Sequence, residues 1–83
     1  MLILTKEEHE FILAWGLEEV KSEYEQRNYI RILNAMQSGL SRIEELYGNT
    51  GISYDILRNN LWELIGKRKI YYDDEGRYLL NQS

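Results

Sequence analysis

The sequence predicts a mainly α-helical domain that ends in a small β-hairpin. Three observations lead there. No proline occurs in the 83 residues. Apolar side chains recur at three- and four-residue spacing along most of the chain, the period of a helix packed on one face. After Lys69 the period shortens to that of a strand, and a turn-forming run divides two short apolar segments. A chain of this length is one domain, residues 1–83. It buries little surface on its own, so a helix given over to a partner subunit would be a natural supplement.

Thr5 opens the first helix. Its hydroxyl can accept from a free backbone N–H, Glu8 three residues on completes a capping box, and early carboxylates suit the positive helix pole. The pattern carries this helix over residues 5–27, to about Gln26, with Leu13, Leu17, Val20 and Tyr24 in one stripe and Phe11, Ile12 and Trp15 on a second side. Tyr29, Ile30, Leu33 and Met36 then start a new face, roughly 150° away on a continuous helix. Either the helix breaks near Arg27-Asn28, the reading preferred here, or one long helix makes two different contacts. Gln37-Ser38-Gly39 ends it. Ser41 and Glu44 form a second capping box on a short helix that turns Leu40, Ile43 and Leu46 inward, and Gly48-Asn49-Thr50-Gly51 breaks it. Ser53 caps the next helix, whose Leu57, Leu61, Leu64 and Ile65 share a face, while Lys67-Arg68-Lys69 complement its negative end. Ile70-Tyr71-Tyr72 and Arg77-Tyr78-Leu79-Leu80 are strands joined by Asp73-Asp74-Glu75-Gly76. Asn81-Gln82-Ser83 reads as a frayed tail.

Composition narrows the function classes. Without cysteine there are no disulfides or thiolate metal sites, which suits a reducing interior. Met1-Leu2-Ile3-Leu4 is too short for a signal peptide or a membrane span, so a soluble, cytoplasmic protein is expected. The net charge of −4 counts against indiscriminate nucleic-acid binding. The acidity is uneven: Met1–Glu25 sets Lys6 and Lys21 against Glu7, Glu8, Glu10, Glu18, Glu19, Glu23 and Glu25, and the remainder is near neutral. His9 stands alone as a surface residue, the Glu7-Glu8 and Glu18-Glu19 pairs read as a solvated face, and no nucleophile–base arrangement or phosphate-cradling glycine loop is visible. No enzyme activity, cofactor, metal or small-molecule ligand is expected.

Over Tyr29–Leu80 the order is helix, short helix, turn, longer helix, hairpin. The stretch Ile52-Ser53-Tyr54 with Leu57, Leu61, Leu64 and Ile65 is followed by the basic exit Gly66-Lys67-Arg68-Lys69-Ile70 and the hairpin Tyr71–Leu80. This ordered set resembles the prokaryotic, archaeal and viral winged helix-turn-helix transcription regulators. The resemblance implies a core over residues 28–80, insertion of helix 53–66 into the major groove of double-stranded DNA, and a hairpin, the wing, on the flanking backbone or minor groove. The solvent-facing positions of that helix should be Ser53, Tyr54, Asp55, Arg58, Asn59 and Trp62. Arginine pairs bidentately with guanine and asparagine with adenine. Ser53 and the helix-start N–H groups can hold a phosphate, and Lys67, Lys69 and Arg77 are candidates for backbone phosphates.

Each assignment has a plainer rival. Arg58 and Asn59 can be solvated surface, Tyr54 can pack on the turn, Lys67-Arg68-Lys69 can serve only the helix end, and Tyr71, Tyr72 and Tyr78 fit cross-strand packing better than base stacking. Asp55 and Asp73-Asp74-Glu75 oppose phosphate. Residues 48–51 make a longer turn than the tightest of the family, and Trp62 stands where such helices more often carry a polar residue.

The first helix lies outside the resemblance. Its stripe Leu13, Leu17, Val20 and Tyr24 either folds back on its own domain or pairs with a second copy, and a homodimer through these residues is the expectation. Met1–Leu4 would add a short strand or extend that interface. The competing function is a winged-helix protein-interaction module, since one fold serves many functions. Arg58, Lys67, Lys69 and Arg77 on one continuous face would favour DNA, and their scattering the adaptor.

Overall fold

Helix α1 (Lys6–Trp15) starts as its sequence requires: Thr5 Oγ1 accepts from the Glu8 N–H at 3.1 Å, and Glu8 Oε1 accepts from the Thr5 N–H at 2.9 Å. In this computed structural model, which describes residues 4–20 and 22–81, the helix stops eleven residues before the expected end at Gln26. Gly16 takes a left-handed φ of +69°, which costs glycine nothing, and the Leu17 N–H turns back to the Ile12 carbonyl at 2.9 Å. The chain then reverses, and Ser22 at the N-cap position accepts from Glu25 to open helix α2 (Glu23–Gln37).

This corrects the single helix over 5–27 and the break at Arg27-Asn28, because the second helix is already under way at Glu23. It also divides the stripe. Leu17 (0 % exposed) and Val20 enter the core, whereas Leu13 (50 %) and Tyr24 (68 %) remain outside. Leu17 and Val20 are therefore used within the chain itself. Met1–Ile3 of the suggested N-terminal strand lie outside the described residues. Among the described residues, Arg27 Nη2 donates to Glu8 Oε1 of α1 at 3.1 Å, and the N–H of Leu4, ahead of α1, donates to Glu23 Oε2, also at 3.1 Å.

Helix α2 is the axis of the fold. Tyr29, Ile30, Ile32, Leu33, Ala35 and Met36 are all buried, a band covering roughly 220° at 100° per residue. So wide a band exceeds the one face read from the sequence, and the reason is that α2 packs against α1, α3, α4 and the second hairpin strand.

Helix α3 (Ile43–Thr50) begins one residue later than expected. Arg42 holds the N-cap position, and Glu45, not Glu44, reaches back to accept from the Ser41 and Arg42 N–H groups. It also runs through Gly48 to Thr50, whose hydroxyl donates to the Leu46 carbonyl, and Gly51 (φ +70°) ends it. The turn to the next helix is thus residues 51–53, shorter than the sequence suggested. Helix α4 (Tyr54–Gly66) buries Leu57, Asn60, Leu61 and Leu64. Ser53 occupies its N-cap position without a side-chain hydrogen bond, so the expected hydroxyl cap is not made.

Strands β1 (Ile70–Tyr72) and β2 (Tyr78–Leu80) pair antiparallel, with Ile70 opposite Leu80 and Tyr72 opposite Tyr78. Between α4 and β1, Arg68 has φ +63°, a left-handed conformation usual for glycine at this point after a helix. Asn81 secures it: Nδ2 donates to the Arg68 carbonyl at 2.9 Å and its N–H to that of Lys69 at 3.0 Å. Asn81 is therefore anchored, contrary to the frayed-tail expectation, and Gln82 and Ser83 lie outside the described residues. No helix among the described residues is long and apolar enough to cross a membrane.

Two predictions follow from this packing. Leu17→Glu places a carboxylate in a filled core and should destabilise the fold by about 3 kcal/mol or more, whereas Leu13→Glu should be tolerated; equal urea midpoints for the two variants would contradict the placement of Leu17. Arg68→Gly should stabilise by about 1 kcal/mol by relieving the left-handed residue, read as a higher denaturation midpoint.

Candidate functional site

The candidate site grows from α4. With Leu57, Leu61 and Leu64 inward, the opposite face carries Asp55, Arg58, Asn59 and Trp62, which line one shallow depression of about 330 Å³. Trp62 is 65 % exposed. Arg58 makes no ion pair among the described residues, so its guanidinium is available to a partner. Ser53, at the head of this face, leaves its hydroxyl and the first backbone N–H groups of α4 open.

The aromatic residues sit to one side of this ridge and mostly support one another. Tyr54 packs edge-on against Tyr47 with centroids 5.8 Å apart, and Tyr72 lies 4.7 Å from its cross-strand partner Tyr78. Burial pushes the Tyr78 phenol up, the neighbouring Tyr72 adds to this, and Arg58 works against it. Tyr71 is exposed on the alternate side of β1.

The hairpin tip consumes its own charges. Asp73 Oδ1 accepts from the Glu75 and Arg77 N–H groups at 3.0 and 2.8 Å, and Oδ2 accepts from Arg77 Nε at 2.9 Å. Glu75 Oε1 takes Arg77 Nη2 at 3.2 Å. Arg77 is thus engaged twice over before any partner arrives. The sequence reading missed Arg42, whose Nη1 donates to the Glu75 carbonyl at 2.9 Å and ties the start of α3 to the hairpin turn. A cation at the positive end of a helix is unfavourable unless something else holds it, and that was the available signal.

Lys67 and Lys69 go elsewhere. Lys67 Nζ lies 3.4 Å from Glu19, and Lys69 Nζ lies beside Gly16, so both face the acidic α1–α2 connection. The structure thus places Ser53, Tyr54, Arg58 and Asn59 on the first turns of α4, Arg77 at the hairpin tip, and Lys67 and Lys69 against the α1–α2 connection. The four cations are divided among different neighbours. Among the described residues no group of three His, Asp or Glu side chains converges as a metal site would require. No family model, no curated protein and no solved structure matches this chain.

The Asp73 carboxyl is held below the ordinary carboxylate range, chiefly by the Arg77 backbone N–H and then by its side chain. A depressed folded value means that this contribution to hairpin stability is present above the unfolded pKa, about 4, and is lost as pH falls through the folded one. In an NMR titration the Asp73 carboxyl, with the Glu75 and Arg77 amides, should respond only below the ordinary aspartate range; a response at or above it would contradict the turn geometry.

Proposed function

We propose that this chain is a winged-helix, sequence-specific double-stranded DNA-binding protein that acts as a small transcriptional regulator. Helix α4 enters the major groove and the hairpin serves as the wing. The observation that carries the reading is the exposed face of α4, where Arg58, free of any ion pair among the described residues, stands beside Asn59 on a helix fixed by its buried leucines. These two side chains can read guanine and adenine in the major groove. Ser53 and the helix start take a phosphate. Lys67 and Lys69 have no part in it. Homodimerisation remains in the proposal through the surface still exposed on α1 and α2, Leu13 and Tyr24, since paired modules place two reading helices on successive groove faces.

A second reading, a protein-interaction module, is favoured by the scattered cations and by Trp62. A broadly exposed indole beside Arg58 has the composition of an interaction hot spot, and Asp55 with the hairpin carboxylates gives this side of the molecule little attraction for phosphate.

Against a duplex selected from a random pool, Arg58→Ala should lose about 1–3 kcal/mol of specific affinity with the fold intact, while Lys67→Gln should bind as the parent does. With few phosphate contacts, the slope of log K against log salt should be shallow, about −2 to −3. Unchanged affinity in Arg58→Ala removes the base-reading role. No duplex binding at low salt, together with a protein partner lost in Trp62→Ala, establishes the second reading.

A further inference from the structure

Asp55 is a carboxylate without an internal task on the face that the proposed function brings closest to DNA. At 100° per residue Asp55, Asn59 and Trp62 lie within about 60° of one another, with Arg58 at their flank. Other carboxylates of α3, α4 and the hairpin are occupied: Asp73 and Glu75 hold Arg77 and the turn, Glu45 holds the start of α3, and Glu63 accepts from the Tyr29 hydroxyl; Glu44 and Asp74 are not, but neither stands on the α4 ridge. Among the described residues Asp55 makes neither an ion pair nor a side-chain hydrogen bond, even with Arg58 one helical turn away. An acid in the first turn is welcome to the helix dipole, which accounts for its tolerance but not for its place on the reading ridge.

We propose that Asp55 is a base-selecting residue that admits cytosine or adenine and rejects guanine and thymine at its position in the major groove; this rests on the DNA-binding reading above. An ionised carboxylate only accepts hydrogen bonds. Cytosine N4 and adenine N6 present donors to the major groove, whereas guanine presents N7 and O6 and thymine presents O4, all acceptors. Arg58, a pure donor, has the opposite requirement. The two residues are separated by about 4.5 Å of helix rise, close to the 3.4 Å base step, so they meet the same or neighbouring base pairs, with Arg58 on guanine and Asp55 on a cytosine or adenine amino group. The carboxylate also repels phosphate, so a duplex with the wrong base gains nothing to offset that repulsion.

The test selects duplexes from a random pool with the wild type, Asp55→Ala, Asp55→Glu and Asp74→Ala, then measures affinities for cognate and substituted duplexes. Asp74 is the control, an exposed carboxylate at the hairpin tip. The wild type should enrich cytosine or adenine at one position beside a guanine. Asp55→Ala should lose that preference and bind the substituted duplex about fivefold tighter or more, the scale of one mismatch. Asp55→Glu should keep an amino-presenting base, and Asp74→Ala should raise affinity for all duplexes alike without changing preference. An unchanged preference in Asp55→Ala, or an effect identical to that of Asp74→Ala, overturns the assignment while leaving DNA binding intact. A wild type that retains no duplex overturns both. Helical circular dichroism of each variant separates loss of selection from loss of fold.

Discussion

The rest of the structure depends on the burial of α2 on most of its circumference. Tyr29, Ile32 and Leu33 are closed off almost completely, and each fully buried aliphatic side chain contributes about 1.5–3 kcal/mol. Because α1, α3, α4 and β2 all pack against this one helix, the orientation of each is set by the side it offers to α2. For α4 that side is Leu57, Leu61 and Leu64, and the Tyr29 hydroxyl adds a 2.8 Å hydrogen bond to Glu63. Asp55, Arg58, Asn59 and Trp62 face outward as a consequence. The candidate site is thus produced by the core: its residues are presented on a rigid helix with its far face buried.

Electrostatics sets the character of that surface. A chain of net charge −4 has given several of its cations internal work. Arg27 serves Glu8, Lys67 serves Glu19, Arg77 serves Asp73 and Glu75, and Arg42 serves the hairpin turn. Exposed pairs of this kind contribute little stability each, but they withhold positive charge from a partner. A surface built this way has a weak sequence-independent attraction for nucleic acid, so recognition would rest on directional contacts from α4. The same sparseness is what a protein-binding face centred on Trp62 would show, which is why the two functional readings share one set of residues.

Much of the fold was legible because it followed local chemistry. The Thr5–Glu8 capping box, the apolar period of α4, and the hairpin with Gly76 at positive φ are all where residue type alone places them. The misreadings have physical causes. Leu13, Leu17, Val20 and Tyr24 keep helical spacing by coincidence, and nothing local to them shows that Gly16 has already reversed the chain. Arg68 adopts a conformation normally left to glycine because Asn81, distant in sequence, secures it. Asn60, buried with its amide nitrogen unpartnered among the described residues, was equally hidden in a polar-looking stretch. At the candidate site, Arg58 and Asn59 were legible as an exposed pair on a helix with a known buried face. Arg42, and the diversion of Lys67 and Lys69, depended on tertiary contacts.

The central claim is that the outward face of α4, and not the basic segment after it, meets DNA. Amide chemical-shift mapping of the protein titrated with a random-sequence duplex pool at low salt tests this most directly. The account predicts perturbations concentrated on residues 53–62, extending to Arg42 and the hairpin. Perturbations centred on Lys67, Lys69 and the α1–α2 connection, or none at all, would contradict it.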